Sequence, residues 1–197
     1  MSAGDVRCFL AANLSTETLQ KLQAAQRQLQ EQLGAAASAL RWVAIENVHL
    51  TFKFFGHIPE ASLAAIEDRV GRVLRDEPPL SFESFGMGAF PTARSPRVVW
   101  AGVREGEPKR LPALAEKLEG ALEELGYARE TRAFKPHLTL ARVREGEKPN
   151  LAEALQGFAD VAFGATRAAE LILYKSDLSR GGARYSVLKR IFFQRPS

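Results

Sequence analysis

Two tetrapeptides constrain this chain more than any other feature: His49-Leu50-Thr51-Phe52 and His137-Leu138-Thr139-Leu140. They begin 88 residues apart, at positions 49 and 137, in a chain with three histidines and seven threonines. At that composition, two of three histidines meeting a threonine two residues on is about a 0.4% accident. An internal repeat explains the pattern better. Each tetrapeptide lies in an apolar run that predicts a strand, over 48–55 and 137–143, and each strand follows a predicted helix. Side chains alternate faces along a strand. His and Thr therefore share one face. Val48, Leu50, Phe52 and Phe54 share the other in the first strand, and Leu138 and Leu140 in the second. Such a strand pins its apolar face to a core and presents an imidazole and a hydroxyl. Two of them facing across a cleft bring two imidazoles and two hydroxyls to one point. By the same alternation Lys53 joins the His49 face and is expected along the cleft.

The remaining pattern alternates strands and helices. Residues 6–14 read as a strand, and Ser15 as the N-cap of a helix to about Leu33, with Leu19, Leu22, Leu29 and Leu33 at helical spacing. A helix over 60–75 ends at Pro78-Pro79. Strands are expected over 80–89 and 97–103. A helix over 112–125 has Gly126 as its C-terminal signal, and a short helix spans 151–158. Strands over 169–178 and 183–193 form a hairpin across Arg180-Gly181-Gly182. The reading is an α+β fold of two pseudo-symmetric lobes, with antiparallel-rich sheets around a central cleft, forming one domain over 1–197.

Composition excludes several function classes. The one cysteine, Cys8, rules out a disulfide framework within the chain and a thiol zinc site; it reads as a small buried hydrophobe. No apolar run approaches the ~20 residues of a membrane span. The opening Met-Ser-Ala-Gly-Asp has no basic n-region, so no signal peptide is expected and the cytoplasm is the default compartment. Glycine-rich phosphate loops and clustered carboxylates with metal-ligand spacing are absent from the sequence, so no metal and no cofactor is expected. The net charge of +4 suggests an anionic partner, and residues 180–197 contain Arg180, Arg184, Lys189, Arg190 and Arg195 without an acid.

Two imidazoles with two hydroxyls suit phosphoryl chemistry without a metal. Opening a cyclic phosphodiester by in-line attack needs a base on the entering water and an acid on the leaving oxygen. Histidine titrates near neutrality and serves as either. Threonine hydroxyls donate to the non-bridging oxygens.

The two motifs resemble those of the two-histidine phosphoesterases, and most specifically the RNA 2′,3′-cyclic phosphodiesterase family, also called 2′-5′ RNA ligase. The likeness runs nearly end to end. It covers Arg7-Cys8-Phe9-Leu10-Ala11, the run Asn47 to Gly56, Ser95-Pro96-Arg97-Val98-Val99-Trp100, the run Phe134 to Arg142, and Arg184-Tyr185-Ser186-Val187-Leu188. The resemblance implies that His49 protonates the leaving 3′ oxygen, that His137 activates water, and that Thr51 and Thr139 hold the phosphate. The implied product is a 2′-phosphate end, and the implied reverse reaction is 2′-5′ joining. The implied partner is RNA with a 2′,3′-cyclic phosphate end, bound by a monomer. Arg97 is a candidate substrate contact because it lies in a family-like segment. The rival functions are a cyclic phosphodiesterase of small nucleotides and a non-catalytic module that holds RNA ends.

Other residues read less sharply. His57 is expected in a loop, and Trp42 and Trp100 in the core. Arg184 and Tyr185 lie on opposite faces of one strand, so one of them faces the cleft.

Overall fold

The computed structural model describes residues 4–106, 109–179 and 182–194. Its elements run β1 (Asp5–Ala12), α1 (Thr16–Leu33), β2 (Leu40–Trp42), β3 (Leu50–Pro59), α2 (Leu63–Arg75), β4 (Leu80–Thr92), β5 (Ser95–Arg104), α3 (Arg110–Glu123), β6 (His137–Val143), α4 (Ala152–Gln156), β7 (Ala162–Ala168), β8 (Glu170–Ser179) and β9 (Gly182–Phe192). Short 3-10 turns precede β2, β3 and α2. The strands β2 and β7 were not expected from sequence. The turn at 180–181, with Arg180 and Arg195 of the basic segment, lies outside the described residues. No helix among the described residues is long and apolar enough to cross a membrane.

The α+β architecture with two antiparallel lobes is observed. One lobe is the run β9-β8-β1-β3 and the other is β7-β4-β5-β6, with β2 added on β6. The two runs join into one curled sheet where β3 meets β6, at the register pair Leu50–Leu138. Both leucines are at most 1% exposed, on the face covered by helices.

The helices follow their periodicity. Ser15 caps α1 by accepting from the Thr18 amide at 3.2 Å. Leu22, Ala25 and Leu29 are buried on its inner face. In α2 the buried set is Leu63, Ile66, Val70 and Leu74, and in α3 it includes Leu111, Leu114, Leu118 and Leu122. Each buried leucine contributes roughly 1.5–3 kcal/mol. The helices interlock the lobes. From the first half, α1 packs on β7 and α4 of the other lobe, while α3, from the second half, packs on α2 and β3. Neither lobe has a complete core without a helix from the other half.

Both motif strands are bulged at the same place. In β3 the register steps from Leu10–Lys53 to Ala11–Thr51, leaving Phe52 unpaired. In β6 it steps from Val99–Ala141 to Trp100–Thr139, leaving Leu140 unpaired. Each bulged residue is the last of its tetrapeptide. A bulge breaks the two-residue alternation, so every side chain beyond it changes face. Lys53 therefore turns into the helix side, 4% exposed, rather than along the cleft. Phe54, expected on the apolar face, emerges on the opposite one at 43% exposure. Gly56, at φ +72°, sits where a second irregularity skips Phe55, and β3 continues to Pro59. His57 is consequently in a strand, exposed and opposite Arg7, not in a loop.

Polar side chains from the interlocked helices bond beside both bulges. The Leu140 carbonyl accepts from the Val43 amide at 2.9 Å and from Nε2 of Gln26, a residue of α1, at 3.0 Å. Lys53 Nζ donates to Glu119 Oε2 of α3 at 2.7 Å and to the Ala128 carbonyl at 2.6 Å. Cys8 is fully buried, which pushes its thiol up to about 12.

Glu119 is only 12% exposed, so removing its partner leaves a nearly buried carboxylate uncompensated. Lys53→Met should cost about 3–5 kcal/mol in urea unfolding. Adding Glu119→Leu should recover most of that loss. Strictly additive losses would show that the pair is uncoupled.

Candidate active site

The single β3–β6 register pair determines how the motifs meet. With Leu50 opposite Leu138 in antiparallel strands, one step either way sets His49 against Thr139 and Thr51 against His137. All four lie on the face opposite the buried leucines, and all four are half-buried. The structure thus brings together the four motif residues that the sequence singled out. His137 opens β6, and His49 stands one residue before β3.

The two imidazoles are held in the same way. Nδ1 of His49 lies 2.8 Å from the carbonyl of Asn47, and Nδ1 of His137 lies 2.8 Å from the carbonyl of Lys135. A carbonyl only accepts, so Nδ1 carries the hydrogen in each ring and Nε2 is left for the cleft. Each anchor is the residue two before its histidine, and each is itself constrained. Asn47 closes a 3-10 turn and donates through Nδ2 to the Ala183 carbonyl of β9 at 2.9 Å. Lys135 precedes Pro136, which favours extended backbone there.

Their surroundings differ. His49 stacks on Phe9 at 4.6 Å between ring centroids, with the Tyr185 ring edge-on at 5.4 Å and Tyr174 at 6.4 Å. Burial pushes His49 down from 6.5 to about 4; its hydrogen bond to Asn47 opposes this, and the charge of His137 adds to it. His137 is contacted by Phe90 edge-on at 5.3 Å. Of the two closing-strand candidates, Tyr185 faces the cleft. Arg184 is exposed and paired in the ladder with Asp177.

Trp100 stands opposite Thr139 on the cleft side, half-buried rather than in the core proper. Its ring lies where a Cβ on Gly88 would come within 2.4 Å, so only glycine fits beneath it. Trp42 is half-buried and packs on the core. Arg97 is exposed at the irregular step between β4 and β5, and no hydrogen bond or ion pair among the described residues joins it to the motifs. The bulge at Leu140 instead turns Arg142 to the face of His137 and Thr139, opposite Arg41 of β2. Both arginines are exposed, and no acid pairs with either among the described residues. Like charges facing each other across a ladder are unfavourable without an anion. Sequence alternation missed Arg142, and the aromatic surround of His49 comes from β1, β8 and β9, which no local signal connects to the motif.

Comparison with known proteins bears on this geometry. The family model described as LigT like Phosphoesterase matches residues 16–100 and again 102–185, so each half of the chain carries the pattern once. Proteins named RNA 2′,3′-cyclic phosphodiesterase from Archaeoglobus fulgidus and Thermotoga maritima are similar at 34% and 33% identity. The first match covers 93% of this chain and 98% of the relative, and the second covers 96% of each. The crystal structure of a Thermus thermophilus protein superposes with TM-score 0.78 at 29% identity, over 95% of this chain and 98% of that one. Escherichia coli LigT complexed with 3′-AMP superposes with TM-score 0.73 at 27% identity, over 97% and 99%. With the doubled motif, the two-lobed antiparallel sheet and relatives matched along nearly their whole length, this chain belongs to the LigT-like phosphoesterase family.

Proposed function

We propose that the chain opens 2′,3′-cyclic phosphate ends of RNA to 2′-phosphates, with His49 and His137 moving protons and Thr51 and Thr139 holding the phosphate. The observation that carries this reading is the antiparallel junction, which sets each motif histidine against the other motif's threonine with both Nε2 atoms free. A phosphate centred there has an imidazole on either side, the arrangement that in-line displacement requires. One histidine removes the proton from water as the oxygen attacks phosphorus. The other delivers a proton to the ribose oxygen as its bond to phosphorus breaks. The threonine hydroxyls donate to the non-bridging oxygens. The same groups run the reverse joining to a 5′-hydroxyl. The RNA substrate comes from the named relatives, and the positive faces of Arg41 and Arg142 support it. Arg97 is kept as a contact to the strand on charge and exposure alone. The reading needs no metal ion and treats the protein as a cytoplasmic monomer.

The resemblance makes His49 the acid, and one observation favours the reverse direction. Burial lowers the His49 pKa to about 4 in the free protein, so the neutral form, which a base requires, dominates at pH 7. An anion bound beside it favours its charged form and restores the acid role.

Assayed on a cyclic-ended oligonucleotide with chelator present, His49→Ala and His137→Ala should each lose about 10²–10⁴ in rate. Thr51→Ala and Thr139→Ala should lose about 10–150-fold, the value of a hydrogen bond to a charged group. Threonine variants as inactive as the histidine variants, with the fold intact, would reverse these roles.

The direction is read with a substrate whose 3′ leaving group is far more acidic than ribose. The variant lacking the acid should recover, and the other should not. Recovery of His49→Ala supports the direction implied by the resemblance, and recovery of His137→Ala supports the reverse.

The third test uses pH. The unfolded chain binds the His49 proton below about pH 6.5, but the folded chain does so only near 4. Stability from this group is therefore present above pH 6.5 and is lost as pH falls towards 4, by up to about 3 kcal/mol. A 2′-nucleotide should raise the His49 pKa in an NMR titration by about 1–2 units. An unchanged value would place the anion elsewhere.

A further inference from the structure

His49 and His137 are oriented by the same contact, a carbonyl two residues earlier on Nδ1, but the two carbonyls are held by different means. In the second motif the residue between anchor and histidine is Pro136. Its ring fixes its own φ and restricts Lys135 to extended backbone. Covalent geometry keeps that carbonyl in place. In the first motif the corresponding residue is Val48, which imposes no such restriction on Asn47. Asn47 instead ends a three-residue 3-10 turn, with its own amide on the Ala44 carbonyl at 2.8 Å and the Val48 amide on Ile45 at 3.1 Å. A short turn of this kind has poor hydrogen-bond geometry, and its last residue is where it frays.

A second hold comes from far along the chain. The Asn47 side chain donates from Nδ2 to the Ala183 carbonyl at 2.9 Å, across a separation of 136 residues. In the sheet β1 and β8 lie between β3 and β9, so this bond joins segments that share no ladder. Tyr185, two residues after Ala183 on the same strand face, stands edge-on to His49 at 5.4 Å and to Phe9 at 4.8 Å. One short stretch of β9 therefore supplies both the acceptor that holds the anchor residue and a ring that walls the imidazole. An asparagine suits this place. Its amide donates to β9 while its backbone carbonyl accepts from Nδ1. No hydrogen bond among the described residues tethers the Lys135 side chain in the same way.

We infer that Asn47 is a positioning residue: its amide, tied to β9, holds its own carbonyl against Nδ1 of His49 and so keeps Nε2 free towards the phosphate. Asn47 acts through His49 rather than on the substrate. The inference rests on the reading that His49 moves a proton at the cyclic phosphate. It makes the start of β9 part of the acid–base apparatus. Losing the bond releases the anchor and the wall of His49 together, whereas His137 keeps its own anchor.

Two variants remove the donor: Asn47→Ala, and Asn47→Leu, which keeps the branch at Cγ. The first readout needs no substrate. At about pH 8.5, roughly two units above the ordinary histidine value, both imidazoles are neutral, and their ring nitrogen-15 shifts report which nitrogen carries the hydrogen. His49 of the wild-type protein should show Nδ1–H. Both variants should shift it to a mixture with Nε2–H, the form an unanchored imidazole prefers in water, while His137 stays Nδ1–H. A His49 that keeps Nδ1–H in both variants overturns the inference. An equal change at His137 also overturns it, because the effect would then be a general loosening of the fold. The second readout is turnover of a cyclic-ended oligonucleotide. Here kcat should fall about 10- to 100-fold, the cost of a misplaced reacting group, with KM within about twofold. Unchanged kcat, or a rise in KM alone, overturns the positioning role. If the wild-type protein opens no cyclic phosphate while the variants still change the His49 tautomer alone, the cyclic-phosphate reading falls and the hold of Asn47 on His49 stands.

Discussion

The contact between β3 and β6 organises the rest of the molecule. Leu50 opposite Leu138 is the one register pair in that ladder, and both side chains lie in the core. Because the strands are antiparallel, the pairing turns two copies of one tetrapeptide into a two-fold arrangement, histidine to threonine and threonine to histidine. A slip by one residue would send each histidine to the helix side and expose the leucines. The buried leucines therefore maintain the register on which the site depends.

That register is protected by the way the halves are built into each other. The helix α1 covers the second lobe and reaches the bulge of β6 through Gln26, while α3 covers β3 and reaches its bulge through Glu119. The two links are different chemistry at equivalent places. One is an amide adding a second bond to the Leu140 carbonyl, which the Val43 amide already reaches; the other is an ion pair closed by a backbone carbonyl. Each is buried, where an unsatisfied polar group costs most. The lobes are thus held by groups that also shape the strands carrying the histidines. Lys53 has a further reach, since its bond to Ala128 anchors the segment that leads to His137, and Phe52 stacks on Phe134 in the same segment at 5.5 Å.

The two-fold arrangement is broken in the surroundings of the two histidines. Both rings are oriented by the same backbone contact, but Phe9, Tyr174 and Tyr185 enclose only His49. Desolvation lowers its affinity for a proton, so two histidines of one motif are no longer interchangeable. Under the proposed function the pair must differ in protonation during one reaction, and environments that differ before the substrate arrives serve that need. The family match over both halves agrees with an internal duplication whose copies kept the motif while their surroundings diverged.

The repeated motif, the strand-and-helix alternation, the helix faces and the N-cap at Ser15 were legible in the sequence, because each rests on local spacing. The four motif residues were legible for the same reason. The sequence by itself determined the chemical groups available and the lobes that carry them. The tertiary structure decided which face several of those groups take. Alternation placed Lys53 along the cleft and Phe54 in the core, and continued past Leu140 it puts Arg142 on the helix side. Unpaired residues at Phe52 and Leu140 reversed all three. A bulge is set by the ladder partner and by the groups that bond beside it, and Gln26 lies 114 residues from the Leu140 carbonyl to which it donates. The choice of Tyr185 over Arg184, and the closing of β1, β8 and β9 around His49 alone, arise in the same way. They depend on strands distant in sequence becoming neighbours, and local periodicity carries no record of that.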